Sequence, residues 1–180
     1  MNSKIRKFKR AFTLVEILTA VFLGSIIIIA AYSVYLMSYK SYQRHAASAE
    51  LTQNARIALE RMTREIRQTG EILTTAPTEI KFQDGHIPSQ IQYLTYYLSG
   101  TDLHRKLSYY YCSNDSLTKV KWSTPCAPYT LQEEIDSDNV KAEKITSLQF
   151  VGTPVITINL TVSDGNISYQ FETKTLARNI

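Results

Sequence analysis

The sequence predicts an α+β protein in which one long N-terminal helix packs on an antiparallel β-sheet. The first observation is that no proline precedes Pro77 and that Gly24 is the only glycine before Gly70, so helix propensity continues without a breaker. The second is that the pattern changes after Pro77 to short runs rich in Tyr, Ile, Leu and Val, which is typical of strands. A helix followed by consecutive strands indicates the α+β class.

The first part of the predicted helix is apolar enough to cross a membrane. Phe12–Met37 contains one charged residue, Glu16, and a helix of about 20 apolar residues spans a hydrocarbon core. The ten residues at the start of the chain include five basic residues and no acid. Because basic flanks remain in the cytoplasm, we expect a single transmembrane helix at residues 12–39 and an extracytoplasmic head at residues 40–180.

Glu16 is the unusual residue of this segment. A carboxylate at the centre of a bilayer costs about 2.5–3.5 kcal/mol, and less near a helix end. One interpretation is that Glu16 lies at the membrane edge and reaches the headgroups. The other is that it is a buried acid that requires a positive partner, such as the α-amino group that a cut before Phe12 would create on a neighbouring subunit.

The run Lys9–Leu18, which reads KRAFTLVEIL, resembles the prepilin-type signal of type IV pilins and type II secretion pseudopilins. That family has a short basic leader, a cut before Phe, the order Thr-Leu-Xaa-Glu and a long apolar run. The resemblance implies that a prepilin peptidase removes residues 1–11 by cutting between Ala11 and Phe12. It also implies N-methylation of Phe12 and contact of Glu16 with an N-terminus in the filament. The family usually has Gly where this chain has Ala11, so we expect slower processing.

The second part of the predicted helix is amphipathic. Apolar residues recur there at intervals of three or four and form one stripe: Leu51, Ala55, Leu59, Met62 and Ile66. Glu60 precedes Arg64 by four residues, the favourable order for an ion pair on a helix. Gly70 is a natural helix terminator. The stripe must be buried, and the predicted sheet provides the surface for it.

The predicted strands follow Pro77 and are separated by turn residues. They are Glu79–Gln83, Ile91–Ser99, Lys106–Ser113, Leu117–Trp122, Ile145–Val151, Val155–Ser163 and Asn166–Leu176. Thr124–Asn139 contains two prolines and several acids, and is predicted to be a loop. Ser99–Asp102 is predicted to be a turn, and Asp164-Gly165 is the strongest hairpin signal of the chain.

Two segments of the head extend the resemblance. NARIALERMTREIRQTG (residues 54–70) and YYLSGTDLHRKL (residues 96–107) are similar to the J-type minor pseudopilins and related minor pilins. This resemblance implies a minor subunit at a filament tip that primes assembly. Its partners would be other pilins and an inner-membrane assembly platform. The machine is a pilus, a type II secretion system or a DNA-uptake apparatus, and the sequence does not separate the three.

The charge distribution argues against a nucleic-acid partner. The net charge is +4, but residues 1–10 contribute five positive charges, so the rest of the chain has a net charge of −1. Lys119, Lys121 and Trp122 place two amines and an aromatic ring on one strand. That combination can contact nucleic acid, but alternating lysines more often protect an edge strand, and we favour the edge.

Cys112 and Cys126 are the two cysteines of the chain. Outside the cytoplasm an even pair indicates a disulfide, and the alternative is two buried thiols. Their spacing, without a second pair, does not indicate a zinc site.

We expect that the protein is not an enzyme and that it binds no cofactor. No nucleophile elbow, P-loop or dinucleotide motif occurs, and His45, His86 and His104 are scattered. Oxygen ligands cluster in the predicted loop, where either a calcium site or a plain solvated loop is possible. They are Glu133, Glu134, Asp136, Asp138 and Asn139.

The sequence therefore predicts a minor pilin or pseudopilin that first resides in the inner membrane and later in a filament. Two alternatives remain. The first is a binding domain held in the membrane by an uncleaved anchor. The second is a secreted domain cut after a signal peptide, because Ala31-Tyr32-Ser33 resembles a small-x-small cleavage site.

Overall fold

The computed structural model describes residues 12–85 and 91–178 and contains one helix and nine strands in that part of the chain. The helix, α1, extends from Leu14 to Gln68. The strands are β1 Ile72–Ala76, β2 Glu79–Gln83, β3 Tyr93–Ser99, β4 Asp102–Cys112, β5 Asp115–Val120, β6 Leu131–Ala142, β7 Ile145–Val151, β8 Val155–Ser163 and β9 Ser168–Leu176. The chain divides into two compact units between Ala46 and Ala47.

The larger sheet of the second unit is antiparallel and has six strands. β1, β2, β3 and β4 are neighbours in that order. One side of β4 pairs with β3 over residues 102–108 and with β5 over residues 110–112. The whole length of β4 also pairs with β6. Among the described residues β6 has no other strand partner, so it forms an edge of the sheet.

The smaller sheet is an antiparallel meander of β7, β8 and β9. The turn between β8 and β9 contains the predicted Asp164-Gly165 pair. Asp164 Oδ1 accepts hydrogen bonds from the backbone N–H groups of Asn166 at 2.9 Å and Ile167 at 2.8 Å. Gly165 has a φ of 91°, a conformation that glycine adopts without strain.

One hydrophobic core joins α1 to both sheets. The predicted apolar stripe is confirmed, because Leu51, Ala55, Met62 and Ile66 are fully buried and Leu59 packs against the same cluster. The sheets contribute further buried side chains: Ile80, Phe82, Leu94, Tyr96, Leu103, Ile145, Leu148, Phe150, Ile156, Ile158, Leu160 and Val162. The fold is therefore α+β and pilin-like, as the sequence predicts.

The predicted loop Thr124–Asn139 is wrong in its second half, where β6 begins at Leu131. The acids of this segment lie opposite β4 side chains that can neutralise or hydrogen-bond them, with Glu133 facing Tyr110 and Asp138 facing Lys106. Cross-strand pairs of this kind stabilise a strand whose own residues have low β-propensity. The sequence prediction also lacks β1 Ile72–Ala76, which pairs with β2 across a turn at Pro77.

The expected ion pair between Glu60 and Arg64 is also wrong. Glu60 instead accepts a hydrogen bond from Arg56 Nε at 2.8 Å, one helical turn earlier. An Arg56–Glu60 pair and a Glu60–Arg64 pair both place their side chains on one face of the helix, so the four-residue spacing does not determine which pair forms. Arg64 has no ion-pair partner among the described residues.

One buried carboxylate connects α1 to the larger sheet. Glu65 is 8% exposed and accepts a 2.7 Å hydrogen bond from the Tyr96 hydroxyl. Arg105 Nε lies 3.0 and 3.2 Å from its two oxygens, and Arg61 Nε lies 3.3 Å from one of them. Burial, and next the charge of Glu65, raise the pKa of Tyr96. Burial opposes the charge on Arg105, but the hydrogen bond to Glu65, the charge of Glu65 and the contact with Tyr96 together outweigh burial and raise the pKa of Arg105.

The disulfide that the sequence indicates is present. Cys112 ends β4 and Cys126 lies in the segment before β6, with their Cα atoms 5.5 Å apart. The bond closes the loop that contains β5, so it limits how far this edge of the sheet can open.

Removing the Tyr96 hydroxyl should weaken the head. In Tyr96→Phe the buried Glu65 loses one of its donors, and we expect the free energy of unfolding to fall by about 1–3 kcal/mol. The measurement is chemical denaturation of the full-length protein in detergent, followed by near-ultraviolet circular dichroism. Tyr129→Phe is the matched control, because Tyr129 is exposed and its hydroxyl has no partner in the described structure. Equal stability of the two variants would contradict the role given to this hydrogen bond.

Removing the disulfide should also lower stability. The two cysteines are 14 positions apart, and a closed loop of about 15 residues contributes about 3 kcal/mol through the entropy of the unfolded chain. We expect Cys112→Ala/Cys126→Ala to lose a similar amount in the same denaturation assay. Rapid labelling of free thiols in the unreduced wild-type protein would show instead that the bond does not form.

Candidate functional site

The helix begins with a capping arrangement at the residues of the prepilin-like run. The Thr13 carbonyl accepts hydrogen bonds from the N–H groups of Glu16 at 3.1 Å and Ile17 at 3.2 Å. Thr13 Oγ1 also accepts from Glu16 N–H at 3.3 Å. This places Thr13 at the N-cap and Glu16 in the first turn, where the positive end of the helix dipole favours a carboxylate.

The first unit exposes nearly all of its apolar side chains. Phe12 is 75% exposed and Ile28 is 70% exposed, and their neighbours along the helix are similar. Soluble monomers rarely present so continuous an apolar surface. The helix contains a stretch long and apolar enough to cross a membrane. The segment therefore needs either lipid or other protein around it.

Glu16 lies within this apolar surface and is itself exposed. Its carboxylate has no hydrogen-bond or ion-pair partner within the described ranges. Two shallow grooves run along the helix beside it, of about 800 and 520 Å³. Phe12, Ile17 and Val21 line both grooves, and Glu16 lines the smaller one. An apolar element that packs here meets one unpaired negative charge near the helix start.

Two residues named from the sequence lie outside the described part of the chain. Ala11, on the leader side of the expected cut, is one, and His86 is the other. Of the remaining histidines, His45 is exposed on α1, whereas His104 is partly buried on β4.

His104 belongs to a polar group on the face of the larger sheet that points away from α1. Its Nδ1 lies 3.1 Å from Asp138 Oδ1, and the Tyr97 hydroxyl donates to Asp138 Oδ2 at 2.6 Å. The hydrogen bond raises the pKa of Tyr97 to about 12 and lowers the pKa of Asp138. The three side chains tie edge strand β6 to β3 and β4.

A second polar group, further along β6, connects this strand to β2 and β4. Lys81 Nζ donates to Glu133 Oε1 at 2.7 Å and to the Tyr110 hydroxyl at 2.6 Å. Burial disfavours both charges, but hydrogen bonds and neighbouring charges together outweigh it. The pKa of Lys81 is therefore raised, mainly by Glu133 and Tyr110, and the pKa of Glu133 is lowered, mainly by Lys81 and Ser108. Both acids are therefore engaged by the protein itself.

This arrangement differs from the single acidic loop that the sequence predicts. The acids expected in one loop are distributed along a strand, and Glu133 and Asp138 have partners in β2, β3 and β4. No group of three or more His, Cys, Asp or Glu side chains in residues 12–85 and 91–178 is arranged to hold a metal ion.

Lys119, Lys121 and Trp122 lie on or just after β5, which ends one side of the sheet. The Lys119 ammonium lies over the Tyr109 ring, 4.2 Å from its centroid, and the Trp122 backbone N–H donates to the Tyr93 hydroxyl at 3.0 Å. Lys119 therefore lies on an edge strand, as expected, whereas the strand ends at Val120, before Lys121 and Trp122.

Two features of the structure differ from what the sequence led us to expect. The order Thr13-Leu14-Val15-Glu16 is a capping-box signature, and it marks the helix start that the structure shows. The burial of Glu65 is the second, and its only signal in the sequence is the position of Glu65 beside the apolar stripe, next to Ile66.

One comparison with known proteins gives a match. Residues 6–32 match the family described as the prokaryotic N-terminal methylation motif, a stretch that contains Ala11, Phe12 and Glu16. Neither the curated proteins nor the solved structures provide a significant match. The motif supports a type IV pilin-like or pseudopilin-like structural subunit, and it implies processing by a prepilin peptidase, membrane anchoring and assembly with other pilins.

Proposed function

We propose that the protein is a minor pilin or pseudopilin that takes part in starting a filament, and that Glu16 guides its insertion. The observation that carries this proposal is the match of residues 6–32 to the methylation motif on a helix whose apolar surface is exposed. The minor role rests on the similarity of residues 54–70 and 96–107 to J-type minor pseudopilins.

The first step is maturation in the inner membrane. The basic leader stays in the cytoplasm, and the peptidase cuts between Ala11 and Phe12 and methylates the new N-terminus. The cut exposes a positive α-amino group one residue before the Thr13 cap. The helix start then carries both an amine and, one turn later, the Glu16 carboxylate.

The second step is entry into a filament. Apolar helices from several subunits cover one another, so the exposed surface of residues 14–39 is removed from lipid. An unpaired carboxylate in such a bundle is costly, whereas a carboxylate that meets the amine of a neighbouring subunit is compensated. The pair therefore sets the axial position of the incoming subunit.

The first test is the N-terminus and intact mass of the protein purified from its native membrane. We expect the chain to start at Phe12 and to carry the mass of one added methyl group. A chain that keeps the leader would contradict the proposal and indicate an uncleaved anchor. A start near Val34 would contradict it in favour of a secreted domain.

The second test is Glu16→Ala. We expect the variant to insert in the membrane and to keep a folded head, because Glu16 belongs to the first unit and the core residues of the head belong to the second. Loss of the carboxylate leaves a partner amine buried without its counter-charge, so co-purification with other pilins should fall by about a hundredfold or more.

Ser25→Ala is the matched control, because its hydroxyl bonds only to the Phe22 carbonyl of its own helix. Co-purification should be unchanged in this variant. Undiminished co-purification of Glu16→Ala would show that the carboxylate does not guide assembly.

A further inference from the structure

A row of exposed tyrosines follows the most apolar part of α1. Tyr32, Tyr35 and Tyr39 recur at intervals of three and four residues, so they lie on one face of the helix. They are 60%, 63% and 51% exposed, and the rings of Tyr35 and Tyr39 stack with their centroids 6.3 Å apart. Their hydroxyl groups have no hydrogen-bond partner among the described residues. We call these three residues the tyrosine stripe.

The segment before the stripe has a different composition. Residues 12–31 contain no tyrosine, no tryptophan and one charged residue, Glu16. Thr19 Oγ1 and Ser25 Oγ donate hydrogen bonds to backbone carbonyls of the preceding turn, at 3.0 and 2.7 Å. Hydrocarbon offers no hydrogen bonds, so hydroxyl groups that bond to their own helix are compatible with a membrane interior. The unbonded hydroxyls of the tyrosine stripe need an environment that provides partners.

The length of the apolar run leaves the position of the helix in a bilayer open. Phe12–Met37 is about 39 Å of helix, whereas a hydrocarbon core is about 30 Å thick, so the run exceeds the core by about six residues. If residues 12–31 occupy the hydrocarbon, Glu16 lies inside it and Tyr32 lies at its outer boundary. If residues 18–37 occupy the hydrocarbon, Glu16 lies outside it and two tyrosines of the stripe lie within it.

The chemistry of tyrosine favours the first of these positions. The ring is apolar but its hydroxyl requires a hydrogen-bond partner, so tyrosines are enriched at the headgroup level of membranes. Side chains on a helix point back towards its N-terminus, so the rings of Tyr35 and Tyr39 extend towards the bilayer. Lys40, the first charged residue after Glu16, follows the stripe directly. Aromatic rings followed by a cation fit the layer of lipid carbonyl and phosphate groups.

We propose that the tyrosine stripe binds the extracytoplasmic headgroup layer of the membrane and thereby fixes the depth of α1, with residues 12–31 in the hydrocarbon. This inference rests on the proposed function, from which it takes the orientation with the leader in the cytoplasm. Four residues of helix separate Phe12 from Glu16, so the stripe keeps Glu16 about 6 Å inside the inner boundary. The carboxylate then remains among the apolar side chains with which it enters the proposed filament.

A helix of another subunit is the competing occupant of this face. Helices that pack in membranes meet through small side chains, which let their backbones approach closely. The stripe consists of three large side chains, and an apolar helix packed on it would leave their hydroxyl groups without partners. Both properties favour lipid headgroups as the occupant before assembly.

The test is a spin-label scan of the full-length, uncut precursor in vesicles of phosphatidylethanolamine and phosphatidylglycerol. Nitroxides are attached to single cysteines outside the stripe, in Val15→Cys, Ile28→Cys, Val34→Cys and Met37→Cys. The two native cysteines are bonded to each other and do not react with the label. Collision rates with oxygen and with a water-soluble nickel chelate report the depth of each label. We expect the labels at residues 15 and 28 in the hydrocarbon and those at residues 34 and 37 outside it.

Replacing the stripe by leucine should move the helix. In Tyr32→Leu/Tyr35→Leu/Tyr39→Leu the headgroup anchor is lost and Glu16 can leave the core, so we expect the hydrocarbon boundary to shift by about four to six residues. The labels at residues 34 and 37 should then enter the hydrocarbon, and the label at residue 15 should become accessible to the nickel chelate. The corresponding triple tryptophan variant should keep the wild-type depth, because indole also prefers the headgroup layer.

Tyr42→Leu is the matched control. Tyr42 is 73% exposed on the same helix but lies beyond Lys40, outside the segment that the proposal places at the headgroups. Its depth profile should equal that of the wild type. Circular dichroism of each variant checks that the helix and the head are folded.

Three outcomes would overturn the inference. The first is a wild-type profile with residues 34 and 37 in the hydrocarbon, and the second is an unchanged profile in the triple leucine variant. The third is shielding of the labels at residues 34 and 37 from both oxygen and the chelate, which would indicate a protein partner.

The scan needs no peptidase, so its result is separate from the N-terminal mass of the native protein. Methylated Phe12 together with a wild-type boundary at Met37 overturns only the stripe. An intact leader together with a boundary at Tyr32 overturns the proposed function and leaves the depth of the helix as inferred.

Discussion

The constraint on which the rest of this structure depends is the uncovered apolar surface of α1 before Ala46. Its side chains are exposed and water is a poor solvent for them, so the first unit has a defined environment only in lipid or among other helices. Glu16 turns this general requirement into a specific one. Apolar surfaces slide past one another at little cost, whereas a single carboxylate among them selects the position at which it meets a positive charge.

The head follows a different principle, in which two acids of edge strand β6 have partners on the neighbouring strands. Glu133 has Lys81 and Tyr110, and Asp138 has Tyr97 and His104. These hydrogen bonds stabilise edge strand β6, whose own residues have low β-propensity. They also occupy the acids, so the long exposed edge of β6 is stabilised without leaving a row of free carboxylates.

Local patterns in the sequence predict much of this fold, and the parts they miss depend on contacts distant in the chain. The first and last residues of β2, β7 and β8 are those that the sequence predicts, and the ends of α1 lie within two residues of their predicted positions. These elements are marked in the sequence by helix-breaking residues and by alternation of apolar and polar residues. β6 was missed because its stability comes from β4 and β2. Glu16 is recognisable in the sequence because it is a single charge in an apolar run. The burial of Glu65 depends on Tyr96 and Arg105, which lie 31 and 40 residues later in the sequence, and no sequence motif indicates these contacts.

The contrast between the head and the start of the helix bears on how such a subunit is built. In the head, Glu133 and Asp138 have partners on the neighbouring strands, so edge strand β6 needs no outside group to compensate these two charges. Glu16 has no such partner among the described residues and lies on an exposed apolar helix surface. In the proposed filament, a neighbouring subunit that supplies an amine at this position compensates a charge that the isolated chain leaves unpaired.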